Sequence, residues 1–127
     1  MTDTYTKEIP LEEGEKYIET YSANGQVLQR DGYDADGVLT DKVVYVYDQE
    51  GKEVERLVYG SDFVKPRTRL VYFYDNEGRL IKSTEYGHED QLVYTYLYEH
   101  DKQEGKINVK TLDKNGDPIK EALEYGI

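Results

Sequence analysis

The residues whose types and spacing could do chemistry are mostly acidic. "DKNGDPIKEALE" sets Asp113, Asn115, Asp117, Glu121 and Glu124 at the first, third, fifth, ninth and twelfth places of an EF-hand-like loop. That spacing can wrap oxygen ligands around Ca²⁺. The sixth place of such a loop needs glycine at its sharp bend; here it is Pro118, whose ring fixes φ on the wrong side. The stretch also lacks flanking helices and coincides with a turn signal, so a structural turn is expected and no bound metal. "DGYDADG", from Asp31 to Gly37, reads as a turn for the same reason. Neighbouring turns do not share an ion either, since they stand about 10 Å apart against Ca–O bonds of about 2.4 Å.

Catalytic groups are sparse. His88 in "YGHED" and His100 in "YEHDK" are each expected in a loop among carboxylates, and a general base needs a pocket around it. Ser22, Ser61 and Ser83 lie in no nucleophile elbow. There is no phosphate-cradling glycine loop, no HExxH and no Walker motif. With 27 Asp and Glu in the chain, a pair of carboxylates discriminates nothing. The expectation is a protein that is not an enzyme and carries no cofactor.

Two surfaces remain as candidates. The first is a face of tyrosines, Tyr45, Tyr47, Tyr72, Tyr74, Tyr94 and Tyr96, a residue favoured where proteins meet because its ring is apolar and its hydroxyl wet. The second is acidic. If the turns line one border, Asp34, Asp36, Asp48, Glu50, Asp75 and Glu77 form a negative row able to meet a basic protein or to mimic a nucleic acid.

The elements that position these residues are written as repeats. "YVYDQEGKEVERLVYG", from Tyr45, returns 27 residues later as "YFYDNEGRLIKSTEYG", from Tyr72, with seven of sixteen positions identical. The punctuation is Asp-x-x-Gly, at Asp34–Gly37, Asp48–Gly51, Asp75–Gly78 and Asp113–Gly116, with Ser22–Gly25 as a variant. Asp opens a type I turn by accepting N–H bonds from it, and Gly supplies the left-handed residue of a G1 bulge. A looser sixth version spans "YEHDKQEGK", Tyr98 to Lys106. The flanks alternate as strands do: Val44 and Val46 against Tyr45 and Tyr47, Val71 and Phe73 against Tyr72 and Tyr74. Tyrosines on one face of adjacent strands would form cross-strand ladders. The longest connector is "GSDFVKPRTR", where Pro66 opposes a central strand and Lys65, Arg67 and Arg69 form a basic cluster.

"YFYDNEGRL" resembles the YD repeats of the RHS family, whose form is Tyr-x-Tyr-Asp-x-x-Gly-Arg-Leu; Tyr72, Tyr74, Asp75, Gly78, Arg79 and Leu80 match it. Tyr45, Tyr47, Asp48 and Gly51 match with Lys52 and Glu53 in the last two places. "YSANGQVLQRDGY" is similar to the MORN-variant repeats of some bacterial antitoxin-like proteins. These resemblances imply an all-β array of hairpins and carry no catalytic residue.

The expected fold is therefore all-β: an antiparallel meander of about ten to twelve short strands in a twisted single or partly folded-over sheet. Residues 1–15 form a lead segment, with a short helical turn expected there, and 16–127 the hairpin domain. Leu, Ile, Val and Phe total only 29 of 127 residues, while Tyr numbers 14, so a thin, tyrosine-rich core is expected. A net charge of −11 repels phosphate backbones and anionic membranes. It favours a basic protein partner, with homodimerisation through sheet edges as a further expectation. There is no cysteine and no apolar run of signal or spanning length, so a cytoplasmic protein is expected. The leading functional expectation is a non-enzymatic acidic interaction module. The alternative is an acidic inhibitor of a basic enzyme, as a toxin-neutralising immunity protein or a nucleic-acid mimic.

Overall fold

The computed structural model describes residues 3–60 and 62–119. These residues form an all-β meander. The strands are β1 (Thr4–Pro10), β2 (Lys16–Ser22), β3 (Val27–Tyr33), β4 (Leu39–Tyr47), β5 (Glu53–Tyr59), β6 (Thr68–Tyr74), β7 (Leu80–Tyr86), β8 (Leu92–Asp101) and β9 (Lys106–Leu112). Each is hydrogen-bonded to its neighbours in chain order within one open sheet. Nine strands, fewer than expected, suffice because each runs seven to ten residues, longer than the typical five or six. No helix among the described residues is long and apolar enough to cross a membrane. By contacts the chain divides into two compact units, 1–69 and 70–127.

The Asp-x-x-Gly turns close as their chemistry requires. At Asp48 the backbone N–H donates to the Lys52 carbonyl at 2.9 Å and Gly51 N–H donates back to the Asp48 carbonyl at 3.1 Å. The Asp48 Oδ1 accepts the N–H groups of Glu50 and Lys52, each at 2.9 Å. Asp34, Asp75 and Asp113 repeat this pattern. The glycines that close the turns are left-handed, for example Gly51 at φ 88° and Gly78 at φ 81°, where a Cβ is penalised.

One turn is absent from the sequence reading because its residues are exchanged. Between β7 and β8, Gly87 takes the place of Asp, and Asp90 takes the left-handed place of Gly at φ 61°. The Gln91 side chain replaces the missing carboxylate by accepting the Glu89 N–H at 2.9 Å. Replacing Asp90 with glycine relieves the left-handed conformation and is expected to stabilise the protein by about 0.5–1 kcal/mol. A higher urea midpoint at unchanged slope is the expected reading; an unchanged midpoint would show that Asp90 carries no strain.

Within residues 3–15 the chain forms a strand and a short turn. β1 pairs with β2 from Thr4 opposite Ser22 to Pro10 opposite Lys16, its alternation obscured by exposed Lys and Glu. The expected helical turn is a short 3₁₀ turn, Glu12–Gly14. His100 is a strand residue of β8 rather than a loop residue, and its Nε2 lies 2.7 Å from the Leu80 carbonyl.

The thin core is not there. Among the described residues no apolar side chain is buried; the buried polar side chains are Glu19, Ser83 and Thr84, at 6%, 2% and 7% exposure. Both faces of the sheet are wetted, and rings are half-exposed. Stability must therefore come from the backbone ladders and from side chains lying along the sheet, where Lys and Arg stems cover apolar surface. The protein does this repeatedly. Lys7, Arg30 and Arg56 lie 4.9, 5.1 and 4.9 Å from the ring centres of Tyr21, Tyr17 and Tyr45, and Lys82 lies 4.8 Å from that of Phe73. Each such contact contributes about 0.5–1 kcal/mol at exposed sites.

Candidate functional site

In unit 1 the register places Tyr5, Tyr21, Glu19, Tyr17, Arg30, Val43, Tyr45 and Arg56 on one face. Its centre is polar. Glu19 accepts the Tyr21 hydroxyl proton at 2.6 Å on Oε1, and Arg30 Nε and Nη2 donate to Oε2 at 3.1 and 2.9 Å. The Tyr21 hydrogen bond, reinforced by Arg30 against the opposing effect of burial, holds the Glu19 carboxyl below its ordinary range. Tyr5 stacks on Tyr21 with ring centres 5.3 Å apart. Tyr47 donates to the Val27 carbonyl at 2.6 Å. Burial, then the nearby Glu53 charge, pushes its phenol up.

In unit 2 the corresponding face carries Ser83, Glu85, Tyr94, Tyr96 and Tyr98, with Ser83 opposite Tyr96 and Glu85 opposite Tyr94. Leu70 and Tyr72 join Ser83, Glu85, Tyr96 and Tyr98 in lining a shallow depression. The Tyr96 hydroxyl donates to Glu85 Oε1 at 2.7 Å, and the Ser83 and Tyr98 hydroxyls are 2.9 Å apart. Burial first, then this bond to Glu85, pushes the Tyr96 phenol far above its ordinary value.

The tyrosine set is thus held on sheet faces, Tyr45 and Tyr47 in unit 1 and Tyr72, Tyr74, Tyr94 and Tyr96 in unit 2. Tyr45, Tyr94 and Tyr96 do not form the expected cross-strand ladders. Tyr45 lies opposite Arg56, Tyr94 opposite Glu85, and Tyr96 between Ser83 and Thr111; Tyr94 and Tyr96 meet along one strand at 6.1 Å. A cation satisfies a tyrosine's ring face and a carboxylate its hydroxyl.

The single acidic border is corrected by the topology. Asp34 and Asp36 sit in the β3–β4 turn, Asp48 and Glu50 in the β4–β5 turn. Consecutive turns of a meander lie at opposite ends of the shared strand, so these two pairs occupy opposite borders of unit 1. Nor are the turn carboxylates bare. Lys52 Nζ lies 3.5 Å from Asp48 and 3.0 Å from Glu50. In unit 2 Arg79 lies 2.9 Å from Asp75 and 3.3 Å from Glu77. Backbone N–H bonds, from Lys52 and from Arg79, are the main reason Asp48 and Asp75 stay charged to lower pH than ordinary aspartates.

The metal-like stretch from Asp113 is a turn over its described part: Asp113 Oδ1 accepts the Asn115 and Asp117 N–H groups at 2.9 and 3.0 Å. Glu121 and Glu124 lie outside the described residues, as does Ser61. Among the described residues no three His, Asp or Glu side chains converge as metal ligands would. Of the basic cluster, Arg69 pairs with Glu55 at 3.1 Å. Sequence reasoning missed Glu19, Arg30, Ser83 and Glu85. Only cross-strand register joins them, although the Tyr-x-Glu and Glu-x-Tyr spacings of "EKYIETY" were visible signals.

Among known proteins, no family model matches the chain, and no curated protein matches it. Among solved structures it is similar to TarM, at TM-score 0.41 and 14% identity over 91% of this chain. A variant of S. aureus TarM in complex with fondaparinux, alpha-GlcNAc-glycerol and UDP gives TM-score 0.40 at 14% identity, over 91% of this chain. The chain spans about a fifth of TarM, 21% of it in both cases. A Bacteroides fragilis protein of unknown function, BF3112, is similar at TM-score 0.22 and 15% identity over 88% of this chain and 92% of its own. Likenesses at this level carry no functional argument.

Proposed function

We propose that the protein is a non-enzymatic interaction module that docks a basic protein on its tyrosine-bearing sheet faces. The observation that carries this reading is the state of the rings. Tyrosines stand half-exposed on faces that no second layer covers among the described residues, in a chain of net charge −11. Tyrosine offers large contact area at small entropic cost, and acidic surroundings steer a basic partner toward it. The resemblance to YD repeats supports the same reading, since it implies a hairpin scaffold without catalytic residues.

The acidic-inhibitor reading is the weaker one. It asks for a row of carboxylates, whereas the turns of unit 1 divide between two borders and Asp48, Glu50, Asp75 and Glu77 each have a basic neighbour.

A basic protein recovered from native lysate and then purified provides the test. Replacing Tyr72, Tyr74, Tyr94 and Tyr96 by alanine should weaken its binding by about a hundredfold, while circular dichroism still reports a folded sheet. Raising salt from about 50 to about 500 mM should weaken the wild-type complex by about tenfold or more. Undiminished binding by the folded variant removes the tyrosine faces as the docking surface.

A further inference from the structure

We propose that the depression around Glu85 and Tyr96 in unit 2 receives the guanidinium of an arginine side chain presented by the partner protein. The inference rests on the docking function above and names the chemistry of one contact within it.

Unit 1 shows what a carboxylate among tyrosines looks like when its needs are met. Glu19 takes one hydrogen bond from a tyrosine hydroxyl on Oε1 and two from Arg30 on Oε2, and the Arg30 guanidinium also lies 5.1 Å from the Tyr17 ring centre. Arg30 is the residue directly opposite Glu19 across the β2–β3 ladder.

Unit 2 repeats the first half of this arrangement without the second. Glu85 takes a tyrosine hydroxyl on Oε1, from Tyr96 at 2.7 Å. The residue opposite it is Tyr94, where unit 1 has arginine. Among the described residues no Lys or Arg pairs with Glu85, and Oε2 accepts no hydrogen bond. The depression's lining contains no cation. Nor does any described cation lie over Tyr96 or Tyr98, whereas Tyr17, Tyr21, Tyr33, Tyr45 and Tyr59 each have one.

A carboxylate on a partly exposed side chain beside aromatic faces is complementary to a cation. One carboxylate is too few for Ca²⁺, which takes six or more oxygen ligands. Arginine fits better than lysine, because a planar guanidinium stacks on a ring while donating along its edge to a carboxylate. Ser83 and Tyr98 place hydroxyl oxygens in the same depression, further acceptors for the remaining N–H groups. The overall negative charge draws such a side chain in.

The full chain, isotope-labelled on Glu carboxyl and Tyr ring carbons, is titrated with a short arginine-rich peptide, its lysine counterpart and its citrulline counterpart. The expected result is that the arginine peptide shifts the Glu85 carboxyl and the Tyr96 and Tyr98 rings. Lysine should bind about fivefold more weakly, and citrulline should leave these signals unmoved. Glu85→Gln, with its backbone spectrum otherwise preserved, should weaken arginine-peptide binding about tenfold. Tyr96→Phe, which keeps the ring, should cost less. Equal binding by Glu85→Gln, or lysine binding as tightly as arginine, overturns the guanidinium site. If the basic peptides shift other tyrosines only, the docking function stands and this contact falls. If no basic peptide shifts any tyrosine, both fall.

Discussion

Replacing Arg30 with methionine is expected to destabilise the protein by about 2 kcal/mol at neutral pH. The reason is Glu19, whose side chain is only 8% exposed and whose Oε2 would lose both of its charged donors. Removing one partner of a buried ion pair ordinarily costs about 3–5 kcal/mol. Here the sheet offers no second layer over the pair among the described residues, and Arg30 itself is 40% exposed, so water relieves part of the penalty. The double variant Arg30→Met with Glu19→Leu should recover most of the loss, because neither charge is then left alone.

The pH dependence of this effect follows from the direction of the Glu19 shift. The folded protein holds that carboxyl below its ordinary value of 4.5. Its contribution to stability is therefore complete above the unfolded value and is lost as pH falls through the lower, folded one. In wild-type protein, urea unfolding should show that loss. The difference between wild type and Arg30→Met should shrink over the same interval, because a protonated Glu19 no longer distinguishes them. A difference that persists unchanged at pH 3 would mean that Arg30 acts through packing on Tyr17 rather than through charge.

Replacing Gly78 with valine is expected to cost about 2 kcal/mol. Gly78 closes the turn between β6 and β7 at φ 81°, and a Cβ there would meet nothing within 4 Å. The penalty is thus the left-handed backbone alone, largest for a β-branched residue. Asparagine, which tolerates that conformation, should cost about half as much or less. Equal losses for both would point to a steric cause, and no loss for valine would show that the turn can be rebuilt in another form. The slope of urea unfolding should stay constant across the series if the same surface is exposed in each.

The two predictions probe parts of the protein that differ in how readable they were. The turn is local. Asp75 needs only the N–H groups two and four residues ahead, and Gly78 needs only its own missing Cβ. The turn between β7 and β8 escaped because the same geometry was met with Gly87 first, Asp90 last and a glutamine side chain as acceptor. The Glu19 cluster is not local: Arg30 is eleven positions away and arrives only through the register of two strands. Likewise Glu85 meets Tyr96 only once β7 and β8 have paired. The division of the acidic turns between two borders was within reach, since consecutive turns of a meander alternate ends.

What the amino-acid sequence determined by itself was the hairpin meander. Period-two alternation and Asp-x-x-Gly punctuation act within a few residues, and together they admit antiparallel neighbours and little else. It also determined that the two rings within "YVY", and the two within "YFY", lie opposite the central valine or phenylalanine of their own strand. What only the tertiary structure decided was how that face is satisfied. Composition suggested a tyrosine core, but a core needs a second layer to close over it, and the sheet buries no apolar side chain among the described residues. Several rings turn instead to Lys, Arg and Glu from the facing strands. Which ring receives which charge depends on register, a property of strand pairs that no single stretch of chain contains.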